Sequence, residues 1–489
     1  MVKSNKRLKT IFLTAHHGWE IRYFVYSDIL KRLRDYKDLR IVVLTKKGDV
    51  LDFLRENFAG ENVEFHELEL DAIKEYSSKR LTAKTREIMA FVLNAKYDIN
   101  TVVFLEKLLY QKLCNKGSLL RKLRYWVLTR IPVLLLRRSS KLRRLFRHIV
   151  LFFQKPEFHN RLYRFYRPDL FIVGSLGFRT DAYLLREAKK NNIKTLSVVL
   201  NWDNATTKGM SSCPPDNVVV WNEGMKNEVI WHHDVPKENI FIGGTALYDI
   251  YYRKETFLPR SKVLKRLNLQ PDKKIIFYGT MSPTRFPWNP EIVEILARAC
   301  AEDKFIFPCQ LLVRLHPIYF HKKTKKSKFN EEFNRFMAIK NKYGNVYYNI
   351  PGLIKPEGDM DGLHPDDMKL LANIIKNSSV LLCFFSTLIL EASILDIPVV
   401  SLRLEGKSNF WGEEKAVLKG THLQDVLSSG GVKIAFTEKE LIDAINYYLE
   451  DPSRDAGGRK KIRENKCGPY PGNSGVMIAD YIRKLVFRE

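Results

Sequence analysis

The sequence predicts an α/β fold with two parallel β-sheets, each covered on both faces by helices. Short apolar runs of strand length alternate with amphipathic segments of helical length along most of the chain. The strands are apolar throughout, which is typical of parallel sheets that are buried on both faces. A polar, proline-containing stretch at residues 251–262 breaks this alternation, and we place a domain boundary there. With 489 residues, 45% of them hydrophobic, the chain is long enough for two such domains.

The N-terminal domain is predicted over residues 1–250. It begins with the strand TIFLTAHH, an amphipathic helix in YFVYSDILKRLRDY and the strand LRIVVLTKK. After a basic segment, further strands lie in PDLFIVGSL, IKTLSVVLNWDN, DNVVVW and ENIFIGG, with helices between them.

The C-terminal domain is predicted over residues 263–475, followed by a C-terminal helix at residues 476–489. Its strands lie in KKIIFYGTMS, CQLLVRLHP, SSVLLCFF and DIPVVSL. Open parallel sheets bind ligands outside the carboxyl ends of their strands. Two facing Rossmann-like domains are therefore expected to share a cleft, and functional residues are sought at strand ends.

The charge of the chain is strongly positive and unevenly distributed. Lys and Arg number 82 against 55 Asp and Glu, a formal net charge of +27. This balance implies a polyanionic partner: nucleic acid, an anionic membrane or phosphorylated substrates. Between Glu106 and Glu157 there is no acidic residue, whereas Lys and Arg occur 14 times. We interpret residues 107–156 as a basic, mostly helical insertion in the N-terminal domain.

The insertion interleaves these bases with large apolar residues, as in LLRKLRYWVLTRIPVLLLRRSSKLRRLFRHIVLFFQK. This pattern suits an interfacial helix, so residues 117–154 are expected to bind an anionic membrane surface. The alternatives are a helical hairpin with a core-facing apolar side and a solvated basic side, or nucleic-acid binding. Nucleic acid is not the expected partner, because Leu and Val flank the aromatic residues and no base-stacking platform is indicated.

The sequence predicts no signal peptide and no membrane span. The first apolar run is too short for a signal peptide, and no window approaches the roughly 18 apolar residues of a spanning helix. We expect a cytoplasmic protein that binds peripherally to the inner face of the cell membrane.

Two predicted strand ends in the C-terminal domain suit phosphate groups. Gly279, Thr280 and Ser282 follow a buried strand; glycine allows close backbone approach and hydroxyls suit phosphate oxygens, although ordinary turns use the same residues. Arg314 and His316 share one face at the end of LLVRLHP, where they could neutralise a diphosphate and donate to its leaving oxygen. The alternative for Arg314 is an ion pair with a neighbouring carboxylate.

A third strand end lies in LLCFFSTLILEASILDIPVVSL, where Ser386 and Thr387 precede a short helix that contains Glu391. Ser386 is expected at the helix N-cap, which by itself explains a serine. Two adjacent hydroxyls at helix-terminal N–H groups form an anion site. Glu391 can accept two hydrogen bonds from a vicinal diol such as ribose, so we predict that this strand end binds a nucleotide diphosphate.

The ordered set of a Gly-Thr loop, RLHP and FSTLILEASILDIPVVSL resembles the donor domain of GT-B glycosyltransferases. The segments LNWDNATTKGM, VVVWNEGMKNEVIWHH and ENIFIGGTALYDIYY are similar to a group of bacterial and archaeal GT-B proteins assigned to surface-polysaccharide synthesis. The resemblance covers most of the chain except the insertion. It implies that Ser386 and Thr387 hold the donor phosphates and Glu391 the ribose. Arg314 and His316 resemble the His-Pro element of bacterial sialyltransferases and CDP-glycerol glycerophosphotransferases, which leaves the donor base open.

The N-terminal domain is expected to hold the acceptor. The segment TAHHGWEIRYF places His16, His17 and Glu20 just after the first strand. In an inverting transfer one side chain takes the proton of the acceptor hydroxyl, a task that suits histidine or a carboxylate. His17 and Glu20 are the first candidates and Asp203 is the third, and each has an alternative as a loop or turn residue.

The expected function is that of an inverting glycosyltransferase in cell-surface glycan synthesis. It would move a sugar from a nucleotide-sugar donor to a lipid-linked or polysaccharide acceptor. No Asp-x-Asp motif lies in a convincing strand-end context and no clear E-x(7)-E pair is found, so we expect neither a metal, nor another cofactor, nor a retaining mechanism of that type. The alternatives are a CDP-polyol phosphotransferase or nucleotide-sugar epimerase on the same fold, and a basic nucleic-acid-binding protein.

Overall fold

The computed structural model confirms the predicted fold class, with two α/β units built on parallel sheets. It describes residues 7–94, 101–103, 106–107, 110–111, 118–283, 286–320, 329–354, 362–406, 418 and 420–487. The first unit comprises Met1–Leu247 and Gly468–Glu489, and the second comprises Tyr248–Cys467.

The chain returns to the first unit with its last helix, Ser474–Phe487. Ile478 and Ile482 of this helix are fully buried in the core of the first unit. Arg32 Nε donates a hydrogen bond to Asp480 Oδ1 at 2.9 Å from the neighbouring helix. The alternation of strands and helices in the sequence does not indicate this return, because an amphipathic terminal helix fits either unit.

The sheet of the first unit has seven strands in the order β3-β2-β1-β4-β5-β6-β7, and all neighbours are parallel. The strands are β1 (Lys9–Thr14), β2 (Leu39–Thr45), β3 (Val63–Glu67), β4 (Leu170–Val173), β5 (Lys194–Val198), β6 (Asn217–Val220) and β7 (Ile240–Ile242). Phe12 of β1 pairs with Val42 of β2 and with Phe171 of β4, and all three are fully buried. Their burial explains why these strands are apolar throughout.

The sheet of the second unit has six strands in the order β10-β9-β8-β11-β12-β13, again all parallel. The strands are β8 (Lys274–Gly279), β9 (Cys309–Arg314), β10 (Val346–Asn349), β11 (Val380–Cys383), β12 (Val399–Leu402) and β13 (Lys433–Ala435). Counted within each unit, both sheets follow the order 3-2-1-4-5-6, and the first has one strand more. The strand order therefore reverses between β1 and β4 and between β8 and β11, where open sheets of this class bind ligands.

Helices connect these strands. Those of the first unit are Gly18–Glu20, Asp28–Asp35, Asp49–Phe58, Leu70–Ser78, Arg80–Met89, Leu119–Tyr125, Ile131–Arg138, Ser140–Phe153, Asn160–Tyr166, Thr180–Lys190, Asn204–Thr207, Glu223–His233 and Ser474–Phe487, with π-helical turns at Ile21–Val25 and Trp126–Arg130. Those of the second unit are Arg260–Leu267, Asn289–Ala301, Phe329–Tyr343, Pro365–Asn377, Leu388–Ile394, Gln424–Ser428, Glu438–Glu450 and Ala456–Lys466. Polar caps begin several of them; Asn222 Oδ1, for example, accepts the N–H of Met225 at 2.9 Å.

The insertion is mostly helical where the structure describes it, and part of its charge is buried. Arg143 donates to both carboxylate oxygens of Asp234 at 2.7 Å, and Arg147 donates to the same carboxylate at 3.1 Å. The two arginines are 2% and 8% exposed. Arg143 and Arg147 therefore do not lie on the solvated basic side that the helical-hairpin alternative predicts. Residues 108–109 and 112–117 of the insertion lie outside the described residues, and no described helix is long and apolar enough to cross a bilayer.

Candidate functional site

Three titratable side chains lie together where the strand order of the first sheet reverses. His16 and Glu20 follow β1, and Asp181 is in the first turn of helix Thr180–Lys190 after β4. One ligand-type atom from each lies within 4.8 Å of the others, and all three residues are buried. His16 Nδ1 lies 2.9 Å from Glu20 Oε2. The same oxygen accepts the backbone N–H groups of His16 at 2.7 Å and His17 at 3.1 Å, so Glu20 is fixed by the loop beside it.

The two carboxyl groups of this cluster differ in their pKa values. Burial tends to raise the pKa of Glu20, but the hydrogen bonds of His16, and the charges that His16 and His17 carry when protonated, outweigh burial and hold this pKa below its usual value. Burial, together with repulsion from Glu20, raises the pKa of Asp181 to about 7. Near neutral pH Glu20 is therefore ionised, whereas Asp181 is divided between its two protonation states.

The loop after β4 is shaped around these carboxyl groups. A Cβ atom on Gly174 would lie 2.8 Å from Glu20 Cγ and 2.7 Å from Leu200 Cδ1, distances that real Cβ atoms do not show. Ser175 Oγ donates to Asp181 Oδ2 at 2.6 Å. Asp181 Oδ1 is buried and has no hydrogen-bond partner among the described residues. The sequence VGSLGF thus provides both the space for Glu20 and one partner for Asp181.

The structure places the three candidate bases, His17, Glu20 and Asp203, in different surroundings. Glu20 is in the cluster, but the histidine nitrogen beside it belongs to His16. The ring of His17 packs on that of His16, with centroids 4.3 Å apart, and on that of Trp19 at 5.0 Å. Sequence reasoning missed Asp181, because an aspartate in a first helical turn is common without any further role.

Asp203 lies beyond the carboxyl end of β5, before the short helix Asn204–Thr207. Its Oδ2 accepts the hydroxyl of Thr207 at 3.0 Å, and its backbone carbonyl accepts the N–H of Thr207 at 2.9 Å. These contacts match the turn role given above as its alternative. A role for Asp203 as a base stays a prediction.

In the second unit, Thr280 joins the ends of β8 and β9. Its Oγ1 donates to the carbonyl of Arg314 at 3.1 Å and accepts the N–H of His316 at 2.8 Å. His316 Nδ1 accepts the N–H of Ile318 at 3.2 Å, so the ring proton of the neutral form lies on Nε2. Ser282 follows in the same loop, where its carbonyl accepts the N–H of Phe286 at 3.0 Å.

Arg314 is in a buried ion pair. Its guanidinium donates to Asp367 and to Asn349 Oδ1. Asp367 Oδ1 also accepts the N–H of Gly352 at 2.8 Å. The side chains of Arg314 and Asp367 are 11% and 4% exposed. The carboxylate partner that sequence analysis gave as the alternative is therefore present, and a role of Arg314 towards a diphosphate stays a prediction.

The expected N-cap position of Ser386 is wrong. Helix Leu388–Ile394 has Thr387 at its N-cap, and the side chain of Thr387 makes no capping hydrogen bond. The Ser386 hydroxyl is buried beside the Cys383 thiol, without an oxygen or nitrogen partner among the described residues. A Cβ atom on Gly279 would lie 2.4 Å from Leu388 Cδ1, so glycine at the end of β8 admits this helix. Capping does not explain either hydroxyl.

Glu391 is buried and has an internal partner. It is 7% exposed, and its Oε2 accepts the hydroxyl of Tyr251. Burial, followed by the charge of Glu391, raises the pKa of Tyr251 well above its usual value. Sequence reasoning missed Tyr251, which lies in the stretch read as a domain boundary.

Two further residues near these strand ends were missed. Asn289 is fully buried and holds the loop after β8, because its Nδ2 donates to the carbonyls of Met281 at 3.0 Å and Phe286 at 2.9 Å. Arg403 follows β12, and its guanidinium lies 4.8 Å from the centre of the Phe385 ring. An arginine after an apolar strand is the same signal that identified Arg314 and could have found Arg403.

The insertion exposes an unusual amount of apolar surface. Of 23 large hydrophobic side chains that are exposed among the described residues, 13 lie in residues 119–153. Four of them are two-thirds or more exposed: Leu119 at 83%, Leu120 at 78%, and Phe152 and Phe153 at 67% each. Exposed bases share these helices: Arg121, Arg124, Arg138, Lys141 and Arg144. Apolar patches of this kind mark interaction sites on folded proteins.

Comparison with known proteins identifies the fold. No protein-family model and no curated protein matches the chain. Solved structures match it over almost its whole length. A UDP-GlcNAc 2-epimerase from Neisseria meningitidis bound to UDP-GlcNAc has a TM-score of 0.53 at 11% identity, covering 97% of this chain and 100% of that one. S. aureus MnaA with UDP has a TM-score of 0.54 at 13% identity, with coverages of 98% and 97%. The UDP-GlcNAc 2-epimerase of Methanocaldococcus jannaschii has a TM-score of 0.51 at 14% identity, with coverages of 97% and 99%. At these identities the likeness shows the GT-B-like fold alone.

Proposed function

We propose that the protein is an inverting, metal-independent glycosyltransferase that moves a sugar from a nucleotide-sugar donor to a lipid-linked or polysaccharide acceptor in cell-surface glycan synthesis. The observation that supports this choice is the exposed apolar and basic surface of the insertion. An enzyme that acts only on a water-soluble nucleotide sugar does not need to bind a membrane. An enzyme with a lipid-linked acceptor must reach the cytoplasmic face of a membrane, and basic helices with exposed Leu, Trp and Phe bind anionic lipid.

In the proposed reaction, the first unit supplies the base. The ionised Glu20 beside His16 Nδ1 favours the ring proton on that nitrogen, which leaves Nε2 as the proton acceptor. His16 would take the proton of the acceptor hydroxyl as its oxygen attacks the anomeric carbon and the bond to the nucleotide diphosphate breaks. Glu20 would position the ring and stabilise the imidazolium that forms. The proposal thus assigns the base to His16 and retains Glu20 from the sequence prediction.

The second unit would hold the nucleotide at the ends of β8, β9 and β11. We assign the diphosphate to Thr280, His316 and the hydroxyls of Ser386 and Thr387, and the ribose to Glu391. Arg314 is already paired with Asp367, so we assign it a positioning role. The solved relatives in fold that contain UDP or UDP-GlcNAc support a nucleotide ligand but do not specify its base for this chain.

A nucleotide-sugar epimerase is the second candidate. Two of the three structures compared above are UDP-GlcNAc 2-epimerases. His16, Glu20 and Asp181 could also move a proton on and off a sugar carbon, because the pKa of Asp181 is raised to about 7. This reading leaves the insertion surface unexplained.

A flotation assay with anionic liposomes tests the proposal. Removing the whole insertion would also remove buried Arg143 and Arg147, so we choose exposed side chains instead: the variant is Leu120→Ser, Phe152→Ser, Phe153→Ser. Each large apolar side chain contributes about 1.5–3 kcal/mol when buried, so we expect the floated fraction to fall at least tenfold.

The matched control is Ile306→Ser, Phe307→Ser, which replaces two exposed apolar residues of the second unit that are 52% and 42% exposed. This control should float as well as the unmodified protein. Equal flotation of the insertion variant, or no flotation of the unmodified protein, would refute the membrane part of the proposal.

A further inference from the structure

We propose that a cationic cavity in the first unit binds the phosphate or diphosphate group of a lipid acceptor. This inference rests on the proposed function, because it names the part of the acceptor that the first unit would hold. The cavity measures about 240 Å³ and lies between helix Arg80–Met89, the loop before helix Thr180–Lys190 and residues 207–212. Four of its lining residues are cationic and none is acidic; the four are Arg86, Arg179, Arg186 and Lys208.

The size of the cavity limits its ligand. Pockets for drug-sized molecules measure about 300–1,000 Å³, so a cavity of about 240 Å³ is too small for a nucleotide sugar. A phosphate or diphosphate group fits the volume. Guanidinium groups match phosphate oxygens in geometry as well as in charge, which explains why arginine supplies three of the four cations.

Tertiary contacts fix the side chains that line the cavity. Arg186 is 2% exposed, its Nη1 donates to Gln154 Oε1 at 2.6 Å, and its guanidinium lies 5.2 Å from the centre of the Tyr183 ring. The hydroxyl of Tyr183, another lining residue, is buried with no hydrogen-bond partner in the described part of the chain. Arg179 has φ +49° and ψ −120°, a conformation that costs energy for a residue other than glycine and is found at ligand sites more often than elsewhere. It precedes the N-terminus of an 11-residue helix, whose dipole also favours an anion.

Side chains of the insertion contact residues that line this cavity. This proximity favours a lipid ligand over a free phosphate. Arg137 Nε donates to the carbonyl of Phe91 at 2.8 Å, and Arg147 Nη2 contacts Met210 Sδ at 3.2 Å. Phe91 and Met210 both line the cavity, and Gln154 contacts Arg186 as described above. The helices that expose apolar side chains therefore adjoin the cationic cavity. A molecule with a hydrocarbon chain and a phosphate end would use both features at once.

Calorimetric titration of the full-length protein tests the site. The ligand is farnesyl diphosphate below its micelle concentration, with inorganic pyrophosphate and farnesol as separate arms. The variant is Arg86→Gln, Arg179→Gly; glycine suits the positive φ at position 179, so the fold should tolerate it. The charge control is Arg266→Gln on the surface of the second unit. Each lost charged hydrogen bond weakens binding about tenfold or more.

We expect farnesyl diphosphate to bind at least tenfold more tightly than either pyrophosphate or farnesol, and the double variant to lose at least tenfold while Arg266→Gln loses nothing. UDP affinity, measured on the same samples, should not change. Pyrophosphate binding as tightly as farnesyl diphosphate would overturn the lipid source, and undiminished binding by the double variant would overturn the site. A failure of sugar transfer would refute the proposed function while leaving this binding result intact, so the two failures are distinguishable.

Discussion

The two units have the same strand order over their first six strands. The residues near the point where this order reverses differ between the two units. In the first unit, ligand-type atoms of His16, Glu20 and Asp181 lie within 4.8 Å of one another in a buried cluster, and the pKa of Asp181 is raised to about 7. In the second unit, Arg314 and Glu391 are each satisfied by a partner from elsewhere in that unit. Perturbed, mutually coupled titratable groups are typical of catalytic chemistry, whereas satisfied polar groups give a stable binding surface. This contrast supports the proposal that the first unit supplies the catalytic groups and the second unit binds the donor.

The largest effect is expected from Asp367→Ala in the second unit. The substitution leaves the guanidinium of Arg314 buried without its carboxylate, which typically costs about 3–5 kcal/mol of unfolding free energy. Denaturant unfolding measures the loss. The neighbouring Asp366, whose side chain is 62% exposed, gives the control Asp366→Ala, which should cost little. A similar small loss in both variants would show that the ion pair does not stabilise this unit.

The next effect concerns the contribution of Asp181, in the first unit, to the pH dependence of the unfolding free energy. The pKa of Asp181 is raised from 3.8 to about 7, so the native state keeps this proton to higher pH than the unfolded chain does. The contribution of Asp181 to the unfolding free energy should therefore fall as pH rises from about 4 to 7. Asp181→Asn mimics the protonated form, so the variant should be more stable than the unmodified protein at pH 8, by up to about 4 kcal/mol at 1.4 kcal/mol per pKa unit, and nearly equal to it at pH 4.

Thermal or denaturant unfolding at the two pH values measures this difference, with Asp52→Asn, at an exposed position of helix Asp49–Phe58, as the control. The pKa of Glu20 is held below its usual value, so the pH dependence that Glu20 adds lies at the acid end of the range. A difference between Asp181→Asn and the unmodified protein that does not change with pH would contradict the raised pKa of Asp181.

A smaller effect is expected from Gly174→Ala. The new methyl group would overlap Glu20 and Leu200, and overpacking of this kind costs about 1–3 kcal/mol. Gly457, in helix Ala456–Lys466, has nothing within 4 Å of an added Cβ. Gly457→Ala should therefore raise the unfolding free energy slightly, by about 0.5–1 kcal/mol. Opposite signs for the two substitutions support close packing around Glu20, and equal signs would contradict it.

The smallest effect on stability is expected at Tyr251, which donates a hydrogen bond to Glu391, the residue assigned to the ribose of the nucleotide. Tyr251→Phe removes one hydrogen bond to Glu391 and should cost about 1 kcal/mol with little change in nucleotide affinity. Glu391→Ala should weaken nucleotide binding tenfold or more, as measured by thermal shift with UDP, GDP, CDP and TDP. If Glu391→Ala lowers stability but leaves every nucleotide affinity unchanged, its role is structural.

Sequence reasoning predicted the fold class and the polar residues at the strand ends, because buried parallel strands and their polar termini are visible in local patterns. It could not predict partners that come from distant parts of the chain. Asp181 meets Glu20 only because β4 lies beside β1, and Asp367 meets Arg314 across 53 positions of sequence. The burial of Arg143 depends on Asp234, 91 residues away. Composition identified the basic insertion, but only the fold separates its buried bases from its exposed ones.

The most direct test of the account is a transfer assay with sugar-labelled nucleotide sugars in deuterium oxide, with and without a lipid extract. We predict that the label moves to the organic phase only when both protein and lipid are present, and that Glu20→Gln lowers this rate by about a hundredfold or more. Label that stays on the nucleotide, with deuterium entering the sugar in the absence of lipid, would contradict a transferase and establish an epimerase.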